Sequence, residues 1–273
     1  MWHRTPVVAG SFYPSHPERL KRDIEHYISQ AEKKSLQGEL IALISPHAGY
    51  VYSGPVAAYS YVQLIDSSVE VVLVLAPSHR ARFDGASVIP EGIYETPLGE
   101  VAIDAVIGGK LIEKPHFGFS KEVHLSEHSL EVQVPFLQEV LKEFTLIPII
   151  LGVTGVDICE TIAEEIFSVL QGEERKCMVV ISTDLSHYFP YEKARQKDAI
   201  FIENLKKFDE QALASALDND DAQACGEGPV LTGMSLARKL GARDVEILSY
   251  ANSGDTAGGK DQVVGYLAAA FVK

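Results

Sequence analysis

Three short apolar runs, each leading into a turn that carries a histidine, constrain this chain more than any other feature. Leu40-Ile41-Ala42-Leu43-Ile44 leads into Ser45-Pro46-His47-Ala48-Gly49-Tyr50. Val71-Val72-Leu73-Val74-Leu75-Ala76 leads into Pro77-Ser78-His79, and Met178-Val179-Val180-Ile181 into Ser182-Thr183-Asp184-Leu185-Ser186-His187. Continuous apolar runs of this length read as strands buried on both faces, as in a parallel sheet covered by helices. In such sheets ligands bind beyond the carboxyl ends of the strands. Three imidazoles delivered to one sheet edge predict a shared metal or acid–base site.

The intervening segments supply the helices. Pro17 to Ala31 carries Leu20, Ile24, Tyr27 and Ile28 at helical spacing, with proline at its first position. Pro55 is expected to open a second helix through Val56, Tyr59, Val62 and Leu64. Short strands with turns are expected over 85–105, and Ser129 is expected to cap a helix holding Leu130, Val134, Leu137 and Leu141. A strand over 144–151, a helix over 156–170 and a strand over 176–182 follow. Helices near 191–206, 209–217 and 229–240 precede strands near 245–251 and 262–272. This alternation predicts an α/β fold, one domain over residues 1–273, with a mixed, mostly parallel central sheet and helices on both faces.

With 46% hydrophobic residues the chain can bury a large core, and 24 basic against 38 acidic residues give a net charge of −14. That charge argues against nucleic acid or an anionic membrane as partner. No apolar stretch reaches the ~18 residues needed to cross a bilayer. Residues 1–6 lack the apolar centre of a signal peptide, and the three cysteines lack paired spacing, so a cytoplasmic location is expected.

Several residues carry chemistry. His47 and His79 sit beside glycine and proline at strand ends, positions that suit imidazole ligands to a transition metal. Gly49 is expected to allow a close approach or positive φ. Asp184 lies three residues before His187; if a helix starts there it is an N-cap, and otherwise it can fix an imidazole tautomer as part of an acid–base pair. Cys159 and Cys177 fall in apolar patterns and read as inert. Cys225 precedes a helix near Pro229, where a thiol is expected to have a lowered pKa and to serve as nucleophile or soft ligand. With two imidazoles it completes a three-ligand open site. His124-Leu125-Ser126-Glu127-His128 formally matches a zinc-peptidase pattern that needs one helix under both histidines. Ser126 and Ser129 look like helix starts instead, which leaves His128 as a residue near the site.

Ordered motifs along nearly the full length resemble the Memo (mediator of cell motility) family. They are Arg4-Thr5-Pro6-Val7-Val8-Ala9-Gly10-Ser11-Phe12-Tyr13-Pro14, Ser45 to Gly54, Pro77-Ser78-His79, Glu127-His128-Ser129-Leu130-Glu131, Ser182 to Tyr188, and Cys225-Gly226. The resemblance implies a fold similar to LigB-type extradiol dioxygenases, which use non-haem Fe(II) held by two histidines and a carboxylate. It implies His47, His79 and Cys225 as metal ligands, with Cys225 in the carboxylate's place. It assigns His187 and Asp184 to catalysis and places His128 and Tyr50 in the substrate pocket. Fe(II) is the favoured ion, with copper or zinc as alternatives because thiolate is softer than carboxylate. The implied activity is dioxygenase-like oxidation of an unknown small molecule. The alternative is a non-enzymatic adaptor that holds metal or a phosphopeptide in the same pocket. The resemblance also implies a pathway link to Ammecr-type and radical SAM proteins.

Overall fold

The apolar runs at 40–44, 71–76 and 178–181 are neighbours in one twelve-stranded sheet, seen in a computed structural model that describes residues 2–152 and 155–273. The strands are β1 (Trp2–Arg4), β2 (Leu40–Ser45), β3 (Val71–Pro77), β4 (Ala86–Val88), β5 (Gly92–Thr96) and β6 (Gly99–Ile103), then β7 (Phe117–Gly118), β8 (Thr145–Leu151), β9 (Cys177–Ser182), β10 (His187–Phe189), β11 (Asp244–Asn252) and β12 (Val263–Val272). The helices are α1 (Pro17–Gln30), α2 (Tyr50–Tyr61), α3 (Ala105–Leu111), α4 (Lys121–Leu125), α5 (Val134–Val140), α6 (Val156–Leu170), α7 (Tyr191–Lys207), α8 (Glu210–Asp218), α9 (Glu227–Lys239) and α10 (Ser253–Thr256).

The central order β6-β8-β3-β9-β2 is parallel, and β12 closes one side antiparallel to β2. Alternation along β3 shows why its run is apolar throughout. Val71, Leu73 and Leu75 join the core that includes Ile162 and Ile166 of α6 and Val230 of α9. Val72, Val74 and Ala76 join the opposite core, with Leu20 and Ile24 of α1 and Phe136 of α5. Helices therefore cover both faces, as expected. Each fully buried Val or Leu contributes about 1.5–3 kcal/mol, so this doubly covered sheet is the stable platform beneath its loops. No described helix is long and apolar enough to cross a membrane.

Two local expectations need correction, and the structure decides one alternative left open at Asp184. Helix α2 begins at Tyr50, with Pro55 inside it. The missing Pro55 N–H deprives the Val51 carbonyl of its helical partner, and Val51 is 59% exposed, so water can take that place. Ser129 is not a cap: its Oγ donates to the Pro77 carbonyl at 3.1 Å, and α5 starts at Val134 with a proline in its first turn. No helix follows β9 at Asp184. Residues 183–186 are irregular and His187 opens the short strand β10 against β12.

Candidate metal centre

Strand register assembles the site. Ile44 of β2 and Leu75 of β3 both lie beside Ile181 of β9. His47, His79 and Asp184 stand three or four residues beyond that shared row, so all three reach the same carboxyl-terminal edge. Among the described residues, His47, His79 and His128 form a group whose candidate ligand atoms lie within 4.8 Å of one another. The ring centroids are 5.2 Å apart for His47–His79, 5.6 Å for His47–His128 and 4.7 Å for His79–His128.

Hydrogen bonds fix which nitrogen each ring presents. Ser182 Oγ donates its single proton to the Ser129 carbonyl at 2.7 Å and accepts from Gln133 Nε2 at 2.7 Å. It lies 2.9 Å from His47 Nδ1, so it can only accept there. Nδ1 of His47 therefore carries the proton, and Nε2 offers a lone pair. Glu127 fixes His79 in the same way. Its Oε2 accepts the His79 backbone N–H at 2.7 Å, and its Oε1 accepts from His79 Nδ1 at 2.9 Å and from the Ser129 N–H at 2.9 Å. His128 Nδ1 lies 3.4 Å from the same Oε1. This carboxylate–histidine arrangement is the kind that orients metal-binding imidazoles and raises their basicity.

Electrostatics match that role. Burial opposes ionisation of Glu127, but its hydrogen bonds and charge interaction with His79 win and hold the carboxyl at about 2. Burial lowers His47 well below its ordinary value, reinforced by the neighbouring His79 and His128. Burial also lowers His128, to about 4. His47 and His128 are thus neutral at pH 7, the form that binds metal.

Cys225 Sγ lies 3.1 Å from His47 Nε2. Gly226 makes this approach feasible: a Cβ there would lie 2.5 Å from the Ser182 carbonyl. The expectation of a lowered thiol pKa is overturned. Burial, followed by the nearby Asp184 carboxylate, pushes Cys225 well above the ordinary thiol range. The start of α9 does not outweigh these two effects, so the metal-free group is a thiol placed to donate to His47 Nε2. Cys159 is buried, as read from its pattern, whereas Cys177 is partly exposed; burial raises both thiols to about 11.

The remaining predicted residues are placed as follows. Asp184 Oδ1 accepts the His47 backbone N–H at 2.7 Å, which ties the β9 exit to the β2 exit. Burial raises its carboxyl to about 7, against the lowering effect of that donor. His187 is partly exposed, and burial lowers its pKa against the hydrogen bond with the Leu185 backbone. Tyr50 is a correction: its ring packs against Tyr13 and Phe136, and its hydroxyl donates to the Val132 carbonyl at 2.7 Å, so it is core rather than pocket. Gly49 has φ −58° and only ordinary contacts around an added Cβ, so nothing there requires glycine. His124 lies on α4, which ends before His128, and its Nε2 contacts Ser87 Oγ at 3.1 Å. The peptidase geometry is absent from these residues.

Sequence reasoning missed Glu127, Ser182 and Gln133 as orienting groups. The Glu127-His128 pair, an acid adjacent to a histidine, offered the one local signal.

The profile described as "Memo-like protein" matches residues 4–270. A MEMO1 family protein of Sulfolobus acidocaldarius is similar at 38% identity, covering 98% of this chain and 99% of the relative. MEMO1 family proteins of Saccharolobus islandicus and Saccharolobus solfataricus are similar at 41% identity with the same coverage.

Proposed function

The chain belongs to the Memo-like protein family, and from that premise we propose that its strand-end pocket binds one first-row transition ion and oxidises a small organic molecule. The observation that carries this reading is the convergence of His47, His79 and His128 within 4.8 Å, with the ring nitrogens of His47 and His79 set by Ser182 and Glu127. His47 and His79 form the constant part of the donor set. His128 and the Cys225 sulfur are its further donors. Imidazole suits iron, copper and zinc, and thiolate favours copper(I) and zinc. Iron(II) is the ion proposed, on the family resemblance.

When bound, the ion supplies Lewis-acid and redox character to the pocket. The chain's own residues do the rest. Glu127 and Ser182 keep the rings turned inward, and Asp184 holds the His47 turn. His187, partly exposed, is assigned proton transfer with the organic ligand.

One observation favours a second reading, a module that holds metal or a phosphopeptide without turnover. Among the described residues, no carboxylate joins the three imidazoles: Glu127 is committed to His79 and Asp184 to the His47 backbone. Metal analysis of protein purified anaerobically without a histidine tag, followed by oxygen uptake across a catechol panel, separates the two. Bound iron with oxygen consumption supports the oxidoreductase. Bound metal with no uptake on any substrate supports the metal-holding module, and absence of stoichiometric metal would sink both the oxidoreductase and that module, leaving only phosphopeptide binding.

A further inference from the structure

The amino-terminal segment 4–13 has no part in the donor set, yet it is fastened to the segment that carries Glu127 and His128. Arg4 and Glu131 are both fully buried and form an ion pair. The same guanidinium donates from Nη2 to the Glu127 carbonyl at 2.8 Å and from Nε to the His124 carbonyl at 3.3 Å. Glu131 in turn accepts the Val7 N–H at 2.9 Å, the Val8 N–H at 3.0 Å and the Tyr13 hydroxyl at 2.5 Å. Phe12, between these contacts, places its ring 4.7 Å from that of His128.

His47 and His79 follow directly from sheet strands, so the register fixes their positions. His128 does not: it sits in an irregular stretch between α4 and the short 3-10 turn at Glu131–Gln133. Such a stretch needs tertiary contacts to hold a ring within the tolerance of a metal site. The planar fork of arginine suits this task, because it spans a carboxylate and two carbonyls at once.

We propose that Arg4 is a positioning residue for the metal centre, holding His128 in place through the backbone carbonyls of His124 and Glu127; this rests on His128 belonging to that centre. The group acts at a distance and touches no ligand atom. Its loss should therefore look like the loss of His128, and the two effects should not add.

The test is Co²⁺ titration of the full-length chain, with thermal unfolding in parallel, for Arg4→Met, His128→Ala and the double variant. Arg4→Met is expected to weaken Co²⁺ binding by about 10–100-fold, the range seen when groups behind metal ligands are removed. Its visible d–d spectrum should shift toward that of His128→Ala, and the double variant should bind no more weakly than His128→Ala. Should Arg4→Met fail to fold, Arg4→Lys serves: it keeps a cation for Glu131 but cannot span both carbonyls, and weakened binding is expected. Unchanged affinity and spectrum in either folded variant, whatever the loss of melting temperature, would make the role purely structural and overturn the proposal. If His128→Ala itself leaves binding untouched, the failure lies in the assignment of His128. Additive losses would mean that Arg4 acts by some other route.

Discussion

Replacing Glu127 with glutamine tests the logic of the site most sharply, because the change is nearly isosteric and affects only donors and acceptors. The native carboxylate accepts three hydrogen bonds, from the His79 backbone N–H, His79 Nδ1 and the Ser129 N–H. An amide has one acceptor oxygen and one donor nitrogen. If its oxygen takes the Oε1 position, the NH₂ group faces the His79 backbone N–H, donor against donor. If the amide flips, NH₂ faces Nδ1, which must surrender its proton; the His79 proton then moves to Nε2 and blocks the lone pair. It also faces the Ser129 N–H. Either orientation leaves a buried donor unpaired, at about 1–3 kcal/mol. Metal affinity should fall about 10–100-fold, or about 1.4–2.7 kcal/mol in binding free energy. The assay is Co²⁺ or Zn²⁺ titration against a competing chelator, with circular dichroism to confirm folding and His47→Ala as the control for loss of a donor. Parental affinity in both folded Glu127→Gln and Glu127→Ala variants, the second of which removes the acceptor in any orientation, would refute the claim that this carboxylate sets the His79 ring.

His47→Ala and His79→Ala should each abolish tight binding of one equivalent of metal, measured by equilibrium dialysis; retention in both would remove the site. Cys225→Ala and His128→Ala should differ in the Co²⁺ spectrum: loss of a sulfur charge-transfer band only in Cys225→Ala identifies a thiolate ligand, and no such band in the parent excludes one. His124 gives a pH signature. Burial, aided by Arg4, lowers its pKa from 6.5 to about 3, so the folded state binds fewer protons than the unfolded state. Its contribution is present above about pH 6.5 and is lost as pH falls toward 3, costing about 2 kcal/mol between pH 7 and pH 5. Chemical denaturation of His124→Asn at both pH values should show a slope smaller by that amount, and an unchanged slope would contradict it. Metal-free Cys225 should alkylate slowly at pH 8 because burial and Asp184 raise its thiol, and rapid labelling in mass-spectrometric mapping would show a thiolate instead.

The central strands were legible because hydrophobic patterning is local. A run such as Val71–Ala76 can satisfy both of its faces only between two helical layers. The turn after each run then had to lie at a sheet edge, which brought His47 and His79 into view. Boundaries failed where a single residue was read without its surroundings. Pro55 by its residue type reads as a helix start, although an exposed helix face tolerates it, and Ser129 reads as a cap, although its hydroxyl serves the Pro77 carbonyl. Tyr50 lies in a motif with His47, but its side chain points into the core.

By itself the sequence determined the layered α/β platform, the strand ends and the two histidines that those ends carry. All of these follow from the pattern of side chains over a few consecutive residues. The tertiary structure decided which ring nitrogen faces the site, how Arg4 meets a segment some 120 residues away, and why burial raises the metal-free Cys225 thiol. Each depends on which groups are brought close and dried together, and hydrogen-bond partners and desolvation are properties of the packed chain, not of its order along the backbone.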